Sequence, residues 1–150
     1  MLTKDYLADI LIGRVLDIKD PDTQIQEAQG LDTITALLTS FNSVRFPVII
    51  LEGRSNGAIQ VHEGPVDFFT QSIWVMEQMG EGDDENSIYD QAFSLAKEIL
   101  SVLLQESRLG YSENIQGWDY RRTAYMKRYG GPNARGWEFV LSFTENFSLE

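Results

Sequence analysis

Near its C-terminal end the chain alternates. Trp137, Phe139, Leu141, Phe143 and Phe147 fall on one side, and Glu138, Ser142, Thr144 and Asn146 on the other. A period of two is the signature of a β-strand with one face buried. It commits the molecule to a sheet and fixes which side of this strand meets the core. A second strand is expected just before it. Trp118, Tyr120, Ala124 and Met126 alternate with Asp119, Arg121, Thr123 and Lys127, and Gly130-Gly131-Pro132-Asn133 supplies a turn between the two.

Three further strands are expected in the middle of the chain. Arg45–Glu52 (RFPVIILE) is short, continuous and β-branched, as in a buried strand, with Pro47 marking edge character at its start. Ser55-Asn56-Gly57 predicts a tight hairpin turn, with Ala58–His62 as the return strand. Gly64-Pro65 turns the chain again, and Val66–Met79 is long and extended. Its two faces are both mixed, so a bulge or a subunit contact is expected to interrupt the alternation.

Helical spacing appears in three places. Leu7, Ile10, Leu11, Val15 and Ile18 predict an amphipathic helix over 4–18, ended by Asp20-Pro21. Residues 21–30 read as a polar loop. Ile34, Leu37, Leu38 and Phe41 predict a short second helix with Asp32 or Thr33 as its cap, although TITALLTSF also has strand character. Ala92, Ala96, Ile99 and Leu103 predict a long helix over 88–107. Ser87 and Asp90 have capping-box spacing at its start, after a mobile acidic loop. The expected fold is α+β. It is one domain over residues 1–150, with a mainly antiparallel sheet of about five strands and one long and one or two shorter helices packed on one face.

Charge is unevenly distributed. The chain has 12 basic and 23 acidic residues. Glu81, Asp83, Asp84 and Glu85 crowd into one loop. Arg121, Arg122, Lys127, Arg128 and Arg135 form a block with no acid between Tyr120 and Trp137. These nine residues are the candidate assembly contacts, because such surfaces complement each other between copies. The net charge of -11 repels phosphate backbones, so no specific nucleic-acid binding is expected. Arginines interleaved with Tyr120, Tyr125 and Tyr129 could stack on a single strand, but the acidic remainder weighs against it. An exposed hairpin whose cations deter edge pairing accounts for the block as well as an assembly contact does, and both outrank nucleic acid.

Catalytic chemistry is not spelled out. With no cysteine there is no thiolate site and no disulfide framework. His62 is the one histidine, without a nucleophile elbow, and strand alternation puts Glu63 on the opposite face from it. The acidic loop lacks EF-hand ligand spacing, and no phosphate-cradling glycine motif is present. The expectation is therefore a non-enzymatic protein with no cofactor and no metal. MLTKDYLADILIGRVLDIKD is neither a signal-peptide core nor a membrane span, so synthesis in the cytoplasm and no membrane partner are expected.

The order of elements carries a resemblance. An N-terminal helix precedes a proline-led strand (FPVIILE) and a hairpin. A long strand with a tryptophan (DFFTQSIWVMEQM), an acidic loop, an alanine-rich helix (IYDQAFSLAKEILSVLLQE) and two strands follow. This layout resembles the tail-completion or tail-terminator proteins of long-tailed phages and prophages over residues 1–108, with segment 109–135 extended beyond the pattern. The resemblance implies a ring-forming homo-oligomer that closes the tail tube at the head–tail junction, contacts other tail or neck proteins and ends in the virion. Two other classes fit the composition. One is an acidic immunity or antitoxin-like protein that blocks a basic partner. The other is a ligand-binding or enzymatic domain with a pocket beside Trp74 or Trp118.

Overall fold

A computed structural model describes residues 2–39, 44–60, 66–109, 125–130 and 133–146. The elements run α1 (Lys4–Leu11), α2 (Pro21–Gln24), β1 (Ile25–Glu27), α3 (Leu31–Leu38), β2 (Val48–Gln60), β3 (Val66–Gln78), α4 (Glu85–Leu109), β4 (Tyr125–Gly130) and β5 (Ala134–Asn146). The architecture is α+β. The five described strands form one sheet in the order β1-β2-β3-β5-β4. β1 runs parallel to β2, and every other pair is antiparallel.

The helices do not share one face, as the sequence led us to expect. Leu7 and Leu11 of α1, and Leu95, Ala96, Ile99 and Leu103 of α4, pack with Ile49, Leu51, Ile73, Val75, Phe139, Leu141 and Phe143. Ile34 and Leu38 of α3 pack on the opposite face with Val48, Ile50, Trp74, Met76 and Ala134. The physical reason lies in the runs Val48–Leu51 and Ile73–Met76. Each is apolar at consecutive positions, so both faces of these central strands need cover. Trp74 belongs to this second core. It is 6% exposed, and its indole Nε1 donates to Glu52 Oε1 at 2.7 Å.

Asn56-Gly57 does not make a hairpin turn. β2 continues through it to Gln60, and Ala58–Gln60 belong to the same strand. The register steps from Ser55↔Thr70 to Gly57↔Phe69, which leaves Asn56 as an extra residue in a bulge. A second register shift falls between Leu51 and Arg54. Glycine inside a strand marks a bulge as readily as a turn, because it tolerates the local kink. The interruption expected in β3 therefore sits in its partner. Pro47 precedes β2 and takes no part in the ladder.

Residues 21–30 are not simply a loop. Pro21 starts a single turn, and Ile25–Glu27 add a short parallel strand to β2. α1 stops at Leu11, seven residues early, because Gly13 adopts φ +76° beyond its end. Val15 and Ile18 keep their place in the core through turn hydrogen bonds from Val15 N to Leu11 O and from Ile18 N to Val15 O. α3 starts at Leu31, so Asp32 lies in its first turn instead of capping it.

Two buried glutamines fasten the N-terminal third. Gln71 Nε2 donates to the carbonyls of Leu2 and Glu52, and its Oε1 accepts from Leu2 N at 2.9 Å. Gln24 Oε1 accepts from Lys19 N and Asp20 N, while its Nε2 donates to the carbonyls of Asp17 and Pro47. Each amide supplies donors and acceptors where the backbone has no ladder partner, which is what makes a buried polar side chain tolerable.

Candidate assembly surface

The acidic loop is closed by its own side chains. Gly80 N donates to Asp83 Oδ2 at 2.7 Å, and Gly82 turns the chain at φ +83°. Asp84 is the cap of α4, accepting from Ser87 N and Ser87 Oγ. The helix therefore begins three residues before the expected start, and Ser87 donates to the cap instead of being it. With both carboxylates bound to neighbouring backbone, the loop is a built helix entry. Glu81, Asp83, Asp84 and Glu85 are all exposed.

The basic block is divided. Arg135 lies on β5 and reaches back to α4, its Nε donating to Glu85 Oε1 at 3.1 Å and an Nη donating to Ala134 O. One acid–base pair from the candidate set thus meets within a single copy. Lys127 and Arg128 stand on the edge strand β4, at the register positions opposite Glu138 and Trp137. Arg121 and Arg122 lie outside the described residues, as do His62, Glu63, Trp118 and the first part of the expected strand 118–127.

The sheet order separates the charges. β1 forms one edge and β4 the other, among the described strands. α1 and α2 pack beside β1, and these three elements hold four acids, Asp5, Asp9, Asp22 and Glu27, against one base, Lys4. β4 holds two bases and no acid.

α4 is tied to the sheet by Trp137. Its indole Nε1 donates to Tyr89 O at 3.0 Å, and its ring meets Tyr89 and Phe93 edge-on at 6.1 and 5.3 Å. Beside this joint, Glu77 shares a recess of about 590 Å³ with Asp17, Asp90 and Glu98. Arg135 is its opposite number in the β3–β5 ladder but is paired with Glu85. Burial pushes the Glu77 carboxyl from 4.5 up to about 7, and the charge of Asp17 adds to the effect. No local pattern around Glu77 signals this, because the shift depends on burial against elements distant in the chain.

A carboxyl whose folded pKa is raised binds more protons in the folded state than in the unfolded one. Stability should therefore fall as pH rises from about 4.5 to about 7. Glu77→Gln removes the charge and should raise the melting temperature by about 2 °C at pH 8, with little change at pH 4. Parallel melting curves for variant and wild type across that range would contradict the assignment.

No group of three or more His, Asp or Glu residues among the described residues is placed to hold a metal ion. No described helix is long and apolar enough to cross a membrane. No protein-family model matches the chain, and no curated protein matches its sequence.

Proposed function

We propose that this chain is a non-enzymatic structural protein of a long-tailed phage or prophage. Copies join into a ring that completes or terminates the tail tube at the head–tail junction. The observation that supports this reading is the placement of opposite charges at opposite edges of one sheet. A patch that complements a different patch on the same molecule gives a head-to-tail contact, and a head-to-tail contact that closes gives a ring. A self-complementary patch would give a twofold dimer instead. The acidic excess also suits a passage for DNA, which would cross a ring of like charge without sticking. Of the elements that carry the resemblance, the N-terminal helix, the long strand with Trp74, the long helix and the last strand are present, whereas the hairpin at Asn56-Gly57 is replaced by a bulge in β2.

Deleting the gene from the phage genome and examining the lysate by electron microscopy tests the reading. Unjoined heads and tails are expected, and purified protein added to the lysate should restore joined particles. Normal particle yield from the deletion would overturn it.

A further inference from the structure

The Glu81–Glu85 loop has limited charge to offer a neighbour. Glu85 is paired with Arg135, Asp83 closes its own turn and Asp84 caps α4. The other acidic surface lies at the β1 edge. Asp5, Ala8, Asp9 and Ile12 follow the i, i+3, i+4, i+7 stripe along α1 and face Pro21 and Asp22 across a recess of about 490 Å³. Ile12 is 51% exposed there, and Leu16, in the turn that follows, is 81% exposed. Three carboxylates thus surround an apolar floor. Lys4 reaches the Asp22 carbonyl at 2.8 Å, one ammonium against those three, so the recess keeps its sign. Arg14 points away, to Gln105 and Glu106.

We infer that the α1–α2 recess is the seat for the basic segment Arg121–Arg128 of a second copy of this chain; the inference rests on the ring-forming reading above. Charge selects the occupant. The segment has four cations and no acid, the complement of three carboxylates. For the β4 part of the segment, distance selects a second copy. β1 and β4 are four strand spacings apart, about 19 Å, so Lys127 and Arg128 on β4 stand far from their own recess. Each copy then gives one basic segment and offers one acidic recess.

Charge exchange tests the joint. Asp5→Lys with Asp9→Lys puts cations in the recess, and all the side chains altered there are exposed. Arg121→Glu with Arg122→Glu and Arg128→Glu reverses the segment. By sedimentation at 0.1 M salt, each variant alone should associate at least about 100-fold more weakly than wild type, because like charges now face each other. An equimolar mixture should associate again, since each altered surface meets a complementary one. A recess variant that assembles like wild type overturns the recess and leaves self-assembly standing. So does a mixture that fails to associate while both variants keep the wild-type melting temperature. Wild type that stays a monomer in concentrated solution and on tail tubes overturns both readings.

Discussion

Leu141→Asp should unfold the domain or leave it near its midpoint at room temperature. Leu141 is 1% exposed and lies between Phe139 and Phe143 on the face covered by α1 and α4. Removing a buried leucine costs about 2–5 kcal/mol through lost contacts and an unfilled cavity. An unpaired carboxylate in the same place adds a desolvation cost, and folded domains hold only about 5–15 kcal/mol in total. Leu141→Met keeps the volume and should cost less than about 1.5 kcal/mol. Urea unfolding of both variants checks the pair. A near-native midpoint for the aspartate variant would refute the burial of this face.

Gly136→Ala should be nearly as damaging, for a different reason. Gly136 pairs with Met76 in the β3–β5 ladder. A methyl group there would run into the Val75 carbonyl oxygen and would lie 2.7 Å from Met76 Sδ and 2.9 Å from Met76 Cα. Two of these three atoms are backbone in the central strand, so relief requires β3 and β5 to separate. The expected loss is about 3 kcal/mol, at the top of the range for overpacking, or roughly 6–12 °C in melting temperature. Thermal melting of the variant decides it. A loss below 1 °C would mean the strands part at this point without cost.

The strands that were legible in the sequence are those with a single reading. The alternation of β5 admits no helix, and Phe139, Leu141 and Phe143 are buried with Trp137 partly so. β2 was misread at Asn56-Gly57, since one dipeptide signals both a turn and a bulge and only the partner strand decides. β1 was missed because Ile25–Glu27 is three residues long and adds to a neighbour fixed elsewhere in the chain. The second helical face was legible in principle from the unbroken apolar runs of β2 and β3. The candidate surface was half visible. Composition shows where charges lie along the chain, but not that Asp83 and Asp84 are occupied by backbone donors, nor that sheet order carries β4 away from α1. Gln71 and Gln24 had no local signal, because their partners are 69 and 23 residues away at the farthest.

Ring formation is tested most directly by the native mass of wild-type protein assembled on purified tail tubes at 0.1 and 1 M salt. The reading predicts one closed oligomer of uniform subunit number at 0.1 M and marked dissociation at 1 M, where the Debye length falls from about 10 Å to about 3 Å. The Arg121→Glu, Arg122→Glu, Arg128→Glu variant should remain monomeric in both. A wild-type monomer at both salts, or a triple variant that assembles as well as wild type, would contradict it.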